Sequence, residues 1–446
     1  MNNFLYRKLS RNTSAQGFSL FITIFMQAIS VPVLLSNWGI NLYGEWLILS
    51  TIPTYLLATD FGIGFGAGAN NKLSMLLEKN KIKHAIATFQ SFYLFTLLIS
   101  GIAFLVLIVI VSLFPLGTWF HLKESSEFDL KLILIFLSLF SFLSLQFNII
   151  EGAFRSNRRY ATGISLLALL RLLESLVILC VAVLGFKLVE ASFFLLLTRA
   201  FGFLSLKKYL EWKYDWLSYG IKYASWPEIK ELLSPAYSFI VFLLANILNI
   251  QGIILLIGLM LGPVAVTFYS ILRTVSRFII QINGLISNSF WPELSSAFAR
   301  KNFQDVKNIY RLSSKLIFWL SLIMLILLYF YGSQIINIWT KGKVQVNFTI
   351  FLVLIFTAIF HTFWYVNYIL FASINKHKFF SFLYLGLSIF GLILSGLLMY
   401  TFGIVGGVFG QFFSELIMLF FVVPKALNLT NEKFSKYIKN FFSLTF

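Results

Sequence analysis

The sequence predicts an all-α polytopic membrane protein with about twelve transmembrane helices in two parallel six-helix repeats. Three observations predict this class: the composition, apolar segments of membrane-spanning length, and basic residues confined to alternate loops. Of the 446 residues, 59% are hydrophobic and 12% are charged, whereas soluble domains carry about 25% charged residues. Apolar runs recur along the whole chain at about the 20 residues needed to cross a bilayer.

Hydropathy places the spans and divides the chain. The twelve candidate spans are residues 14–36, 42–66, 85–114, 130–152, 161–185, 188–206, 235–257, 263–290, 314–336, 349–372, 380–402 and 404–424. We expect four regions: an N-terminal lobe at 1–206, a cytoplasmic interfacial linker at 207–234, a C-terminal lobe at 235–424 and a cytoplasmic tail at 425–446. The linker is rich in Trp, Tyr and Lys, which is typical of segments that lie at lipid headgroups; a solvated linker is the alternative.

The net charge of +18 is interpreted from the positions of the 35 Lys and Arg residues. Most of them lie in alternate loops, and the loops on the opposite side hold few. By the positive-inside rule we expect both termini to be cytoplasmic. The excess charge is therefore a topology signal, and no nucleic-acid partner is expected. The single cysteine, Cys180, excludes an intrachain disulfide and makes a thiol metal site implausible, so no cofactor is expected.

Short motifs recur in the two halves of the chain. KLSMLLEKNKIKHA follows the second span and ELSSAFARKNFQDVKNI follows the eighth; SNRRY follows the fourth span and INKHKF the tenth. Aligning Val189 with Val405 pairs Arg199 with Glu415. An even number of spans in each half makes the repeats parallel.

The eighth span carries two arginines on one face. Arg273 and Arg277 are four residues apart, and Tyr269 and Gln281 continue the same stripe. A cation near the bilayer centre costs at least about 2.5 to 3.5 kcal/mol, so the pair needs water, a partner or an anion. We interpret the compensation as a cavity for an anionic substrate.

Neutral polar residues mark the first and seventh spans. Gln27 belongs to a polar face of the first span, with members three and four residues apart, and Asn249 is polar within the seventh span. These residues either line a polar cleft or only bond helix to helix.

Charged residues in other spans need partners as well. Arg171 and Glu174 have the i,i+3 spacing of an internal salt bridge. Arg199 and Glu415 lie at matching depths of the sixth and twelfth spans, so they either pair with each other or face a wet cavity.

Three residues are candidates for coupling transport to H+ or Na+. These are Asp60, Glu415 and His361, which could titrate near neutral pH; a buried, hydrogen-bonded histidine is the alternative. Asp60 opens the run DFGIGFGAG, whose alternate small residues indicate close helix approach and a hinge. The chain has no H-E-x-x-H, D-x-D or P-loop motif, which argues against an enzyme and against ATP-driven transport by this chain alone.

The segments WGINLYGEWLILSTIPTYLLATDFGIGFGAGANNKLSMLLEKN (38–80) and EGAFRSNRRYA (151–161) resemble Wzx-type oligosaccharide flippases of the multidrug/oligosaccharidyl-lipid/polysaccharide (MOP) exporter superfamily. The resemblance implies a V-shaped bundle in which helices one, two, seven and eight line a cavity. It also implies alternating access for a polyprenyl-diphosphate-linked sugar unit, such as an O-antigen repeat. The cavity cations that meet the diphosphate would be Arg273 and Arg277, then Arg171 and Arg199.

The resemblance also defines partners and alternatives. The partners would be the lipid-linked oligosaccharide, membrane lipids, H+ or Na+ and other polysaccharide-assembly proteins. Multidrug members of the superfamily are associated with an acidic residue in the first span, and none is present here. A cation-coupled small-molecule or multidrug exporter is the first alternative. A membrane polysaccharide polymerase or ligase is the second.

Overall fold

A computed structural model describes residues 2–57 and 67–442, and the side chains of 11–55, 69–232, 240–287 and 289–442. The described backbone contains helices and no strands, which confirms the all-α class. The helices are α1 (Asn2–Leu57), α2 (Ala67–Glu78), α3 (Ile82–Leu113), α4 (Leu116–Trp119), α5 (Glu127–Ser156), α6 (Tyr160–Val183), α7 (Leu188–Lys213), α8 (Trp226–Ile247), α9 (Ile253–Ser276), α10 (Phe278–Ala299), α11 (Phe303–Trp339), α12 (Phe348–Ala372), α13 (Lys378–Leu429) and α14 (Phe434–Phe442). A π turn, Leu248–Gly252, joins α8 to α9.

Nine helical stretches in the described residues are long and apolar enough to cross a membrane. Three of them span 45, 60 and 52 residues, and each is broken by one glycine with positive φ. The breaks are Gly39 (φ 74, ψ 179), Gly262 (φ 80, ψ −178) and Gly403 (φ 59, ψ −147). This backbone region is essentially restricted to glycine, so each break ends one span and begins the next. Counting both sides of each break gives the predicted twelve spans.

Left-handed turn residues recur in the same order in both halves of the chain. Each half has a positive-φ residue between its first and second spans and another after its second, third, fourth and fifth spans; Gly342 and Asn431 are additional ones in the second half. The corresponding residues are Gly39 and Gly262, Asn80 and Lys301, His121 and Lys341, Arg158 and Asn375, and Gly185 and Gly403. Because positive φ is uncommon outside glycine, this shared order supports the predicted repeat.

The chain divides into two compact units, Met1–Leu243 and Leu244–Phe446. Within the first unit, part of the predicted linker packs onto the helices. Gln90 donates to the carbonyl of Ser218 (3.1 Å) and accepts from the N–H of Tyr223 (2.7 Å), and Tyr219 packs edge-on against Phe89. Headgroup contact stays a prediction for residues whose side chains are exposed, such as Trp212.

A carboxylate pair joins the start of α8 to α2. The Nζ of Lys72 lies 2.8 Å from Glu228 and 2.8 Å from Glu231, and the Thr88 hydroxyl donates to Glu228. Burial alone would raise the pKa of Glu228, but the hydrogen bonds from Lys72 and Thr88 outweigh it and lower that pKa. Burial alone would lower the pKa of Lys72, but its two carboxylate partners, Glu228 and Glu231, raise that pKa.

We expect K72Q to lower the free energy of local unfolding of α2 at neutral pH by up to about 1 kcal/mol. Its amide exchange should then be up to about fivefold faster. The stabilisation that ionised Glu228 provides is present above the pKa of Glu228 in the unfolded chain. It is lost as the pH falls through the lowered pKa of Glu228 in the folded protein. The Lys72 contribution is lost only as pH rises through its raised value, so the difference between wild type and variant should vanish in acid. Hydrogen-exchange mass spectrometry of α2 measures this. The exposed neighbour substitution K79Q is the control; equal effects of K72Q and K79Q would contradict the contact.

Candidate functional site

The C-terminal unit contains a polar cavity within its own helices. Five segments line it: the end of α8 with the π turn, α9, the start of α10, α12 and α13. Its volume is about 40 Å³. Its lining residues are Asn246, Asn249, Ile250, Arg273, Ser276, Arg277, Ile280, Leu354, Thr357, Ala358, His361, Tyr384, Gln411 and Glu415.

Arg273 and Arg277 both line this cavity, and both are half-buried. Arg277 lies at the junction of α9 and α10, where its N–H donates to the carbonyl of Arg273 at 2.9 Å. The guanidinium of Arg273 donates to the carbonyl of Ile250 at 2.5 Å, within the π turn, and lies 5.3 Å from the ring centroid of Tyr269. π turns of this kind are frequent at functional sites.

Glu415 is the acidic side chain of the cavity, and it is buried among donors. It accepts hydrogen bonds from Asn249 (3.0 Å), Tyr384 (3.3 Å) and the indole N–H of Trp364. No carboxylate in the described part of the chain lies within 4.0 Å of Arg273 or Arg277. Neither guanidinium therefore forms a close ion pair with the described carboxylates.

His361 and Glu415, two of the three residues predicted to couple transport, are in contact. The Nδ1 of His361 lies 3.1 Å from the second carboxylate oxygen of Glu415, and the histidine ring stacks on Tyr365 with centroids 5.9 Å apart. The sequence placed these two candidates in different spans and did not pair them. In the structure they form one polar group beside Arg273 and Arg277.

Gln411 hydrogen-bonds to Asn249, which itself donates to Glu415. Gln411 accepts from the Tyr269 hydroxyl at 2.8 Å and donates to both the carbonyl and the side-chain oxygen of Asn249. Sequence reasoning missed Gln411, although it precedes Glu415 by one helical turn. That i,i+4 spacing was the available signal.

The predicted pair of Arg171 with Glu174 is wrong. Glu174 is buried and pairs instead with Arg199, with N···O distances of 2.6 and 2.7 Å. Arg171 lies on the exposed side of α6 and donates to the Ser19 hydroxyl of α1 at 2.6 Å. Residues three apart are neighbours on a helix, but here the buried acid turns toward α7 and the exposed base toward α1.

Of the two alternatives predicted for Arg199 and Glu415, pairing with each other is not what the structure shows, because Arg199 pairs with Glu174 and Glu415 lines the polar cavity. The guanidinium carbon of Arg199 also lies 4.4 Å from the ring centroid of Phe140 and 4.9 Å from that of Phe147. Each of the two matched charges therefore has its own partners inside its own unit. We remove Arg199 from the candidate binding residues for this reason.

Three further candidate residues are not among the described residues that line the polar cavity. Gln27 is half-buried on α1 of the first unit. Gln281 is half-buried on α10, one turn beyond Arg277, and is not among the lining residues. Asp60 and the glycines up to Gly66 lie outside the described residues.

Solved structures with a similar fold were found. An inward-facing multidrug resistance MATE family transporter of the MOP superfamily matches with a TM-score of 0.70 and 15% identity, over 92% of this chain and 96% of that one. The lipid II flippase MurJ, in an inward closed conformation, matches with a TM-score of 0.68 and 17% identity, over 97% and 90%. The MATE multidrug transporter DinF-BH matches with a TM-score of 0.71 and 16% identity, over 96% and 97%.

This chain has the fold of these MATE transporters and of MurJ. No family model and no curated protein sequence matches it. The similar structures include multidrug transporters and a lipid flippase.

Proposed function

We propose that this chain is a flippase that moves a polyprenyl-diphosphate-linked oligosaccharide across a bacterial inner membrane by alternating access. The observation that supports it is the charge of the cavity in the C-terminal unit. Arg273 and Arg277 face the cavity with no carboxylate within 4.0 Å in the described residues. Glu415, the one acid among the lining residues, is bonded by its own neighbours.

Arginine is suited to a diphosphate. Its planar fork donates two parallel hydrogen bonds to phosphate oxygens. An uncompensated phosphate charge in hydrocarbon would cost tens of kcal/mol by Born estimates, so the headgroup needs cations and water, whereas the polyprenyl chain can remain in lipid. Two arginines among neutral amides provide this charge and still permit release. Arg171, exposed on α6 of the first unit, remains in the proposed binding set.

We further propose that His361 and Glu415 couple transport to H+ or Na+. Histidine ordinarily changes charge between about pH 5 and 8. The charged groups that share its cavity are Glu415, Arg273 and Arg277, and the tyrosines beside it are Tyr365 and Tyr384. A proton on His361 would strengthen its contact with Glu415 and add a third cation to the cavity, which would change its affinity for an anion.

A small-molecule exporter is the second candidate, because MATE multidrug transporters share the fold and a buried acid can bind a cation. Against it, two guanidiniums beside one carboxylate would repel cationic drugs at cavity distances.

Reconstitution into proteoliposomes tests the two cargoes directly. We expect the purified protein to move a fluorescent polyprenyl-diphosphate-linked oligosaccharide to the opposite leaflet, and to leave a cationic dye gradient unchanged. Empty vesicles provide the baseline. Transport of the dye without movement of the lipid would replace the flippase proposal with the exporter.

A further inference from the structure

A second cavity in the C-terminal unit has an entirely apolar lining. It lies between the tail helix α14 and helices α11, α12 and α13, and its volume is about 440 Å³. Its lining includes Phe318, Phe363, Leu419, Val423 and Phe441. The polar cavity described above shares none of these residues.

The tail helix is firmly attached at this position. The indole N–H of Trp319 donates to the carbonyl of Phe441 at 2.8 Å, and the rings of Phe318 and Phe441 stack with centroids 4.7 Å apart. Just before the helix, Glu432 lies 2.6 Å from Arg311 and accepts from Asn440 at 2.9 Å. The cavity is therefore held open by bonded neighbours, and it does not arise from a detached helix.

Hydrocarbon is the occupant that fits this lining. A cavity lined by carbon offers water no hydrogen-bond partners and stays free of it. Its apolar surface also continues outward, because Phe434, Ile438 and Phe442 on α14 are 60%, 40% and 62% exposed. The lining residues of α12 and α13 belong to helices long and apolar enough to cross a membrane, so lipid chains lie within reach of the cavity.

The opposite face of α14 is basic. Lys436 and Lys439 are exposed there, Lys433 is exposed immediately before the helix, and Phe434–Phe442 contains no acidic residue. A short helix with aromatic residues on one face and lysines on the other lies in the membrane interface, where its cations attract anionic headgroups. Two of the exposed lysines and part of the lining of the apolar cavity therefore belong to the same short helix.

We propose that this cavity and the lysine face of α14 form a binding site for one anionic phospholipid. A fatty acyl chain occupies the apolar cavity, and the headgroup phosphate contacts the lysines. The site is separate from the cavity of Arg273 and Arg277, so it is independent of the transported cargo. Its bound lipid would fix α14 against the spans that it contacts.

Native mass spectrometry of the full-length protein in detergent tests the site. Phosphatidylglycerol and phosphatidylcholine with identical chains are titrated into the delipidated protein. We expect retention of one phosphatidylglycerol per chain, with a preference over phosphatidylcholine of roughly 30-fold or more from two to three nearby lysines. Equal binding of both lipids, or retention of only a polyprenyl phosphate, would overturn the proposal.

Two variants separate the chain and headgroup contacts. V423F fills the cavity and should lower phosphatidylglycerol binding about tenfold, whereas V109F, at a position 55% exposed on α3, should not. K436Q/K439Q should remove the preference between the two lipids, whereas the equal charge change K81Q/K83Q in the first unit should preserve it. Unchanged binding in V423F, or unchanged preference in K436Q/K439Q, would overturn the proposal.

A truncated variant that ends at Phe442 tests whether the last four residues, which lie outside the described ones, affect lipid binding. We expect it to bind phosphatidylglycerol as the full chain does. Binding that appears only after this truncation would show that the chain's own terminus occupies the cavity, and the lipid site would then be rejected.

Discussion

Replacing both Arg273 and Arg277 with alanine should reduce translocation of the polyprenyl-diphosphate-linked oligosaccharide by at least about a hundredfold. A hydrogen bond to a charged group contributes about 1.5 to 3 kcal/mol, which corresponds to roughly tenfold or more for each arginine. Arg277 alone is the clearer test, since Arg273 also donates to the backbone of Ile250 and its loss could disturb the π turn. Initial rates in proteoliposomes, normalised to folded protein, measure both variants.

The charge and the shape of these side chains can be separated. R273K/R277K keeps two cations but loses the planar fork, so its rate should fall between wild type and the alanine variant. The control R158A/R300A removes two arginines whose side chains are 70% and 62% exposed, and it should transport normally. Full activity of R273A/R277A would remove the diphosphate site from the proposed mechanism.

The glycine breaks explain why the spans could be predicted from the sequence. Hydropathy alone separates the first span from the second near Gly39, and the seventh from the eighth near Gly262, because apolar runs of bilayer length end there. Arg273 and Arg277 could likewise be placed on one face, since helical periodicity fixes side-chain direction within a helix. These are properties of local sequence.

Contacts between helices could not be predicted in the same way. Arg199, Glu174 and Glu415 were all recognised as charges in need of partners, because burial of an ion is costly. Which partner each one meets depends on helix packing, and no spacing rule within one helix encodes that. The neutral donors around Glu415, such as Trp364 and Tyr384, were missed because neutral polar residues in a span also occur as ordinary helix-to-helix bonds.

The contact between Glu174 and Arg199 gives the second large expected effect, on stability. E174A should destabilise the N-terminal unit by about 3 to 5 kcal/mol, because it leaves the guanidinium of Arg199 buried and unpaired. Arg199 is 13% exposed and Glu174 7% exposed, so water can compensate little of this cost. Thermal unfolding in detergent, with R171A as the exposed comparison, measures the difference; R171A should change stability by less than about 1 kcal/mol.

Replacing both partners distinguishes an ion pair that only stabilises the fold from one that contacts cargo. E174L/R199M keeps the volume without burying charge, so its stability should return to within about 1 kcal/mol of wild type. If the pair serves packing alone, this double variant should also transport at the wild-type rate. A stable double variant that no longer moves the lipid-linked sugar would return Arg199 to the binding set.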